Sequence, residues 1–402
     1  MTKTRNLLEL ENQYLAHNYT PLPIIFKKGK GVHLYDINDK KYIDMVSAYS
    51  AVSLGHSNKK LVKVLAKQAQ TLSVTSRALH HNLLGEFARE LCEFAGMDMM
   101  LPMNTGAEAV ETAIKAARLW GYKVKKIKED KAEIVVCNNN FHGRTTTIIS
   151  FSSHESYKNN FGPLTPGFKL VDFGDIKSFK AAITENTCAC IIEPIQGEAG
   201  IIMPPPNYLT EIQKICKEHN ILLILDEVQS GMGRTGKNFA YMHYIDKPDG
   251  LIVGKALGGG LLPVSAFLGK SEIMELFTPG SHGSTFGGNV LASAIALATL
   301  KILKKGKIVK NSQKLGSYLI NELNKIDHNI ITAVHGLGLW VGVDINPEYF
   351  TAKEICLKLL KEGIIAKETR EKTIRLAPPL IITKKDIDKV IRALHKVIKN
   401  IR

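Results

Sequence analysis

The sequence predicts an α/β protein with a large, mostly parallel sheet flanked by helices and a smaller α+β domain. Short apolar runs alternate with helical patterns from about residue 54 to residue 305. These runs are apolar at consecutive positions, which is typical of strands buried on both faces of a parallel sheet. Past residue 305 the order changes to helix, strand, helix and short strands. We therefore predict three parts, namely an N-terminal segment (1–53) that packs with the small domain, the large domain (54–305) and the small domain (306–402).

Periodicity places the individual elements. Cys188 and Cys190 have the spacing of residues on one face of a strand, so we expect their side chains to share a face of the sheet. A hairpin-like pair surrounds Asn38-Asp39, and apolar residues recur at helical spacing in the last segment. The predicted strands are 32–35, 42–44, 133–137, 190–193, 221–225, 251–253 and a strand-like stretch over 331–344, and the clearest helices are 290–300 and 384–401.

Composition excludes several classes of protein. None of the apolar runs approaches the ~20 residues of a membrane helix, and Glu9 and Glu11 in an N-terminus without an apolar core argue against secretory and transit peptides. The six cysteines form no C-x-x-C pair, which favours free thiols in a reducing, cytoplasmic setting and offers no metal site.

The formal charge of +15 raises a nucleic-acid hypothesis. The lysines are spread over helix faces and loops, however, without a recognisable RNA, helix-turn-helix or zinc motif. We interpret the charge as a solvated surface that favours anionic substrates, and we expect no nucleic-acid partner.

Two predicted strands end in a charged residue. The strand 221–225 runs into Asp226, and the strand 251–253 is followed, after one glycine, by Lys255. Since ligands bind at the carboxyl ends of parallel strands, both side chains should enter the same kind of crevice. An amine for a Schiff base beside a carboxylate for a ring nitrogen is what a protein supplies to pyridoxal phosphate (PLP).

The loop 231–237 offers a competing interpretation, because it fits both G-x-x-x-x-G-K and G-x-G-x-x-G. Asn238 stands where a P-loop has its magnesium-binding Ser or Thr, and the loop follows the acidic strand instead of preceding it. The residues after the loop also lack the periodicity of a nucleotide-binding helix. We therefore interpret both matches as chance.

Other segments bring ligand-binding groups to the same predicted edge. Thr105-Gly106 opens a helix, where free N–H groups and the helix dipole suit a phosphate, although an ordinary N-cap is the simpler alternative. Phe141 could cover a flat ring, and Arg144 could hold a carboxylate in bidentate fashion. His142 could be a general base, although a satisfied or stacking histidine is the simpler alternative.

Three more segments carry polar groups that suit such a site. Glu198 lies in the loop after the strand 190–193 and brings a carboxylate to the sheet edge. Ser284 and Thr285 lie in a glycine-rich loop, from which their hydroxyls could reach a phosphate. Arg375 precedes a rigid Pro-Pro turn in the small domain.

As a set, five motifs resemble the class III aminotransferases of fold type I, which are PLP-dependent, and the resemblance covers nearly the whole chain. The motifs are Met103 to Glu108 (MNTGAE), Phe141 to Thr145 (FHGRT), Asp226 to Gln229 (DEVQ), Gly254 to Leu257 (GKAL) and Gly283 to Thr285 (GST).

The resemblance implies a role for each cofactor-site residue. Lys255 would form the Schiff base and shuttle the proton, and Asp226 would keep the ring nitrogen protonated. Phe141 and Val228 would cover the two ring faces, and Gln229 would approach the phenolic oxygen. The implied cofactor-binding set is Thr105, Gly106, Ala107, Phe141, His142, Asp226, Val228, Gln229, Lys255, Ser284 and Thr285.

Within the family, residues 18–23 and 47–52 resemble the branch that acts on ornithine more than the acetylornithine branch. The resemblance then implies that Tyr19 contacts the substrate α-amino group and that Tyr49 lines the pocket. Arg144 would clamp the α-carboxylate of ornithine, so that the δ-amino group is the one transferred.

The same resemblance implies a carboxylate switch and a dimer. Arg375 would bind the α-carboxylate of 2-oxoglutarate or glutamate, with Glu198 neutralising it while ornithine is bound. Ser284 and Thr285 would reach the cofactor phosphate of the neighbouring subunit in a homodimer. Acetylornithine, 4-aminobutyrate and lysine stay open as alternative amino donors, and a non-catalytic nucleic-acid-binding protein stays open as the remote alternative.

Overall fold

The computed structural model describes residues 3–326 and 329–399, and a seven-stranded sheet forms its centre. The strand order is β4-β10-β9-β8-β7-β5-β6, and β10 alone runs antiparallel to its neighbours. Its strands are β4 (Met99–Met103), β5 (Glu133–Cys137), β6 (Phe168–Val171), β7 (Thr187–Ile192), β8 (Leu222–Asp226), β9 (Gly250–Val253) and β10 (Ser265–Gly269). Because six strands share one direction, the chain leaves β4, β5, β7, β8 and β9 at the same edge.

Helices cover both faces of this sheet. One apolar cluster joins alternate residues of the strands to helices that include α3, α8 and α10, and another joins the opposite face to α4. The helices are α1 (Lys3–Tyr14), α2 (Lys59–Thr71), α3 (Leu84–Ala95), α4 (Gly106–Lys123), α5 (Thr146–Ser150), α6 (Glu155–Lys158), α7 (Ile176–Ala182), α8 (Tyr208–Glu218), α9 (Ser271–Met274), α10 (Val290–Leu303), α11 (Lys307–Leu323), α12 (Ala352–Lys361) and α13 (Lys384–Lys399), with 3₁₀ turns at Ala240–His243 and Lys255–Gly258.

Two four-stranded sheets build the rest of the molecule. One has the order β1-β2-β3-β13 and the other β11-β12-β15-β14. Their strands are β1 (Phe26–Lys30), β2 (His33–Asp36), β3 (Lys41–Asp44), β11 (Ile331–Gly336), β12 (Val341–Ile345), β13 (Ile364–Ile365), β14 (Lys367–Thr369) and β15 (Thr373–Leu376).

The N-terminal segment and the C-terminal part share one core. The short strand β13 pairs with β3 in parallel, and Val32, Ile43 and Met45 lie in the same apolar cluster as α11, α12 and α13. Burying these side chains together removes apolar surface from water, which is the main force holding the two parts to each other. The mixed α/β architecture confirms the predicted fold class, and the exact boundaries at residues 53 and 305 stay predictions.

Arg234 ties the N-terminal segment, the large sheet domain and the C-terminal part together. Its guanidinium is fully buried and donates to the carbonyls of Leu339 and Pro378 at 2.9 and 2.6 Å. It also donates to the hydroxyls of Ser47 and Ser53 at 3.2 and 3.0 Å. Burial lowers the pKa of Arg234 to about 9. The 231–237 loop therefore has a structural role at the junction of these three parts.

The expectation that Cys188 and Cys190 share a face is wrong. The pairing of β5 with β7 shifts register between Glu133 and Ile134, so the chain carries a β-bulge at Cys188. Cys188 consequently packs in the apolar cluster with Ala189, whereas Cys190 lies in the cluster on the opposite face. All six cysteines are free and buried. In the described part of the chain, every helix is too short or too polar to cross a membrane.

Candidate active site

Lys255 and Asp226 lie at neighbouring strand ends, as predicted. Lys255 opens the 3₁₀ turn after β9 with φ at +43°, a left-handed conformation that costs a non-glycine residue energy and is common at functional sites. Burial, together with the charge of Arg375, lowers the pKa of the Lys255 amine to about 8, although Glu198 and Asp226 oppose the shift. The amine is therefore partly neutral near physiological pH, and a neutral amine is a nucleophile.

The N-terminus of α4 presents backbone donors toward the same cavity. Thr105 and Glu108 form a capping box, in which the Thr105 hydroxyl accepts from the Glu108 N–H and the Glu108 carboxylate accepts from the Thr105 N–H. The next two N–H groups, those of Gly106 and Ala107, have no acceptor among the described residues. A side chain at Gly106 would approach Val228 to 3.1 Å, so glycine keeps this turn open. These N–H groups and the helix dipole suit a phosphate.

His142 bonds directly to Asp226 in the floor of the site. Its Nδ1 lies 2.7 Å from Asp226 Oδ2, and the histidine side chain is completely buried. Burial opposes the charged imidazole, but the hydrogen bond and the charge of Asp226 prevail and raise the pKa of His142. His142 is thus a positively polarised neighbour that keeps Asp226 oriented. The expectation of a satisfied histidine is met at Nδ1 alone, because Nε2 is buried without a hydrogen-bond partner among the described residues.

Glu193, the last residue of the predicted strand 190–193, holds two site loops together. Its carboxylate accepts from the N–H of Phe141 at 3.0 Å and from the N–H of Gly197 at 3.2 Å. Burial raises the pKa of Glu193 to about 7. The contact fixes the start of the loop carrying Phe141 and the turn preceding Glu198.

Glu198 and Arg375 form an ion pair beside Lys255. Arg375 Nη1 and Nη2 lie 2.5 and 3.3 Å from the two carboxylate oxygens of Glu198. Gln229 donates to Glu198 at 3.2 Å and accepts from Arg375 at 3.3 Å, and the ring of Tyr49 lies 4.7 Å from the guanidinium. Although burial opposes it, the charge of Arg375 lowers the pKa of Glu198. The side-chain amide of Gln229 is therefore hydrogen-bonded to both members of this ion pair.

Arg144 has an exposed guanidinium stacked on aromatic rings. It lies 3.6 Å from the ring centre of Tyr157 and 5.7 Å from that of Phe141. No carboxylate pairs with it in the residues that the structure covers, so its donors are available to a ligand. Tyr19 is 77% exposed, and within the described chain its side chain makes no hydrogen bond or ring contact with another site residue. Contacts within the described chain thus connect the predicted site residues other than Tyr19 and Thr285, both of which are exposed.

Ser284 and Thr285 lie near the phosphate turn but differ in environment. The Ser284 hydroxyl accepts from Asn104 Nδ2 at 2.9 Å and from the Gly287 N–H at 3.1 Å, both in the same chain. Thr285 is exposed. Ser284 therefore supports its own phosphate turn, and a reach across a subunit boundary stays a prediction.

The cavity between these groups fits PLP. It measures about 170 Å³, and Phe141 and Val228 are among its lining residues. Its polar groups match the cofactor, since Asp226 would hold the ring nitrogen, the α4 terminus would hold the phosphate and Lys255 would react with the aldehyde. The cavity lining is Gly106, Ala107, Phe141, His142, Gly143, Glu193, Ile195, Asp226, Val228, Gln229, Ser230 and Lys255.

Comparison with known proteins identifies the family. The family model for aminotransferase class III matches residues 14–398. The chain belongs to the class III aminotransferases. It is a PLP-dependent transaminase of this family, as the five sequence motifs predicted. The described residues contain no cluster of His, Cys, Asp and Glu that could hold a metal ion.

Individual relatives of this class III aminotransferase agree over the full length. The chain is 50% identical to the ornithine aminotransferase of Geobacillus sp. over 397 residues, 99% of both proteins. A solved ornithine aminotransferase of Toxoplasma gondii, with PLP at partial occupancy, superposes with a TM-score of 0.97 at 38% identity, covering 99% of this chain and 95% of that one. An acetylornithine aminotransferase of Elizabethkingia anophelis gives 0.90 at 42% identity, with full coverage of both chains.

Proposed function

We propose that this aminotransferase transfers the δ-amino group of L-ornithine to 2-oxoglutarate. The products are glutamate and glutamate 5-semialdehyde, which cyclises to pyrroline-5-carboxylate and so links the enzyme to proline and arginine metabolism. The Glu198–Arg375 ion pair beside Lys255 carries the proposal. Arg375 can bind a substrate carboxylate near the cofactor, and it can pair with Glu198 when the substrate has no carboxylate there. The full-length relatives that are ornithine aminotransferases support it.

In the first half-reaction, Arg144 binds the α-carboxylate of ornithine through its free guanidinium. Tyr49 lines the pocket, and the family resemblance assigns the contact with the α-amino group to Tyr19, whose side chain is exposed in this structure. Holding ornithine by its α end leaves the δ-amino group at Lys255. Glu198 stays on Arg375 during this step, because an unpaired buried arginine would be costly.

In the second half-reaction, 2-oxoglutarate brings two carboxylates. Its α-carboxylate replaces Glu198 on Arg375, and its distal carboxylate takes the place of ornithine's carboxylate on Arg144. Arg375 keeps a bidentate anionic partner in both steps, so its charge is never left uncompensated. One site thereby accepts a substrate with a carboxylate near the cofactor and one without.

The residues around the cofactor provide acid–base catalysis and orientation. Bound PLP supplies an electron sink for the carbon from which a proton is removed. The Lys255 amine, whose pKa is lowered to about 8, accepts that proton and returns it at the neighbouring position. Asp226, oriented by His142, keeps a proton on the ring nitrogen. Phe141 and Val228, which line the cavity, would exclude water from the two faces of the ring.

A two-substrate assay tests the substrate assignment. We expect turnover of ornithine with 2-oxoglutarate, detected as pyrroline-5-carboxylate, and a kcat/KM for N-acetylornithine at least ~100-fold lower.

Tyr19→Phe should lower kcat/KM for ornithine and leave the glutamate half-reaction unchanged. Lys255→Ala should abolish turnover and the absorbance band of lysine-bound cofactor; an active Lys255→Ala protein would refute the chemistry itself.

Acetylornithine is the second candidate donor. The F-H-G-R-T segment at 141–145 also fits acetylornithine enzymes, and one such enzyme is 42% identical to this chain. An acetyl group removes the charge of the α-amino nitrogen and adds bulk beside Tyr19 and Tyr49. Faster turnover of N-acetylornithine than of ornithine would therefore establish this candidate. Absence of turnover together with tight, salt-sensitive RNA binding would favour the nucleic-acid alternative.

We also propose a homodimer and a cytoplasmic location. An apolar cavity of about 510 Å³ lies beside Thr105 and includes Phe286, whose side chain is 55% exposed. Covering this surface with a second copy would bury it and bring the exposed Thr285 toward the partner's cofactor phosphate. Light scattering should give twice the 44.4 kDa chain mass, and Phe286→Asp should yield monomers.

The proposed cytoplasmic location rests on the six free thiols, which favour a reducing compartment.

A further inference from the structure

The turn between β14 and β15 reaches from the C-terminal part across to the large sheet domain. Its residue Arg370 has φ at +55°, a left-handed conformation that is uncommon for residues other than glycine. Arg370 Nη1 donates to His154 Nδ1 at 3.2 Å, and Nη2 donates to Asn139 Oδ1 at 3.5 Å. Both acceptors belong to the loop region that follows β5. One arginine therefore joins two parts of the chain that are far apart in sequence.

On the side of the large sheet domain, a series of contacts connects Arg370 to Arg144. The ring of His154 packs at 5.0 Å on the ring of Tyr157, and Tyr157 carries the Arg144 guanidinium on its face at 3.6 Å. His154 Nε2 is buried and has no partner in the described chain, so Arg370 supplies the only hydrogen bond of this ring. Burial, with the charges of Arg370 and Arg144, lowers the pKa of His154. The neutral ring is a suitable acceptor for Arg370.

On the hairpin side, the contact continues to Arg375. Arg370 directly follows β14, and β14 pairs with β15 so that Lys367 lies opposite Arg375. The same hairpin is fastened to the Glu198 loop, because the Thr369 hydroxyl donates to the Glu198 carbonyl at 2.5 Å. A short path of contacts therefore connects the two arginines that would receive the two carboxylates of a diacid.

We propose that Arg370 is a positioning residue that sets the separation of Arg144 and Arg375 and thereby selects the chain length of the 2-oxo diacid. The inference rests on the proposed function, in which these two arginines hold the two carboxylates. Two guanidinium groups on separate elements discriminate chain length only when their spacing is fixed, since a displacement of about 1 Å can offset the fit of a bound ligand. Without Arg370, the hairpin and the loop region could separate, and diacids of other lengths would be accommodated.

Binding of unreactive diacids to the holoenzyme tests this inference without turnover. Calorimetric titration should show that glutarate, with five carbons, binds more tightly than succinate or adipate, with four and six. In Arg370→Ala this preference should fall by about fivefold or more. Arg370→Lys should keep part of it, because one donor can still reach His154. Lys372→Ala removes a cation from the same turn, where Lys372 is 62% exposed, and should keep the wild-type preference.

Four outcomes would overturn the inference: no preference for glutarate in the wild type, an unchanged preference in Arg370→Ala, an equal loss of affinity for all three diacids, or the same loss in Lys372→Ala. His154→Phe keeps the ring stack and removes the acceptor, so it should reproduce the Arg370→Ala result. Failure of the proposed function is distinct: an enzyme that shows the selective loss but does not use ornithine would refute the substrate and leave the role of Arg370 intact.

Discussion

Two arginines are buried among the residues whose burial the structure describes, and their partners differ. Arg234 donates to two backbone carbonyls and two hydroxyls that are fixed by the fold. Arg375 pairs with one side-chain carboxylate, that of Glu198, and with the amide of Gln229. Both side chains are at most 2% exposed. Burial alone therefore does not separate a structural cation from a functional one.

The exchangeability of the partner separates them. The carbonyls that accept from Arg234 belong to the backbone, so they can move away only if the parts of the chain separate. The guanidinium of Arg234 therefore stabilises the fold. Glu198 sits on a turn, and in the proposed mechanism it rotates away so that a substrate carboxylate takes its place on Arg375. A buried arginine that pairs with one side-chain carboxylate is thus a candidate anion-binding site, whereas a buried arginine that pairs with backbone carbonyls has a structural role.

The largest effect should come from Arg234→Ala. The substitution removes four hydrogen bonds and leaves the carbonyls of Leu339 and Pro378 buried without donors, at about 1–3 kcal/mol for each unsatisfied group. We expect the free energy of unfolding to fall by about 3–5 kcal/mol. Chemical denaturation would measure it, with Arg89→Ala on an exposed helix face as the control. A variant as stable as the wild type would show that the hydrogen bonds of Arg234 do not stabilise the fold.

Arg375→Ala should affect one half-reaction selectively. Losing a bidentate partner for the α-carboxylate should lower kcat/KM for 2-oxoglutarate by about 10²–10³-fold. The ornithine half-reaction should change by less than about tenfold, because ornithine places no carboxylate on Arg375. Rapid-mixing absorbance measurements separate the two halves. Equal losses in both would mean that Arg375 supports the site as a whole and is no carboxylate switch.

The strand-end residues were predictable from sequence because apolar runs mark buried parallel strands. Asp226 and Lys255 follow directly from the position of β8 and β9, and Thr105 follows from the start of α4. These positions depend on local periodicity and on the rule that ligands bind at one sheet edge. The phosphate turn and the lysine could therefore be located before any contact was known.

Contacts between distant segments could not be predicted in the same way. Arg234 lies in a loop that resembles a nucleotide motif, while its partners Leu339 and Pro378 are more than 100 residues away. The two-residue strand β13 is too short to carry a periodic signal, yet it fixes the N-terminal segment to the C-terminal part. The bulge at Cys188 likewise arises from pairing with β5, which the residues of β7 alone do not reveal.

Glu198→Gln should change the choice of amino donor. The amide cannot neutralise Arg375, so the free guanidinium would attract a carboxylate next to the reacting amino group. We expect the ratio of kcat/KM for ornithine to that for glutamate to fall about tenfold. Glu371→Gln, on the exposed β14–β15 turn, provides a control of equal charge change. An unaltered donor ratio in Glu198→Gln would argue that the ion pair has no part in donor selection.

The smallest effect should be a shift in the titration of Lys255. Since only the neutral amine reacts with an aldehyde, covalent uptake of PLP by the apoprotein should rise about tenfold per pH unit below the pKa and level off above about 8. Glu198 stabilises the ammonium and Arg375 destabilises it, so Glu198→Gln should move the midpoint to lower pH and Arg375→Ala to higher pH. Stopped-flow absorbance across pH 6 to 10 or so would measure both shifts. Glu371→Gln should leave the midpoint in place, and shifts of the same sign in both site variants would contradict an electrostatic origin.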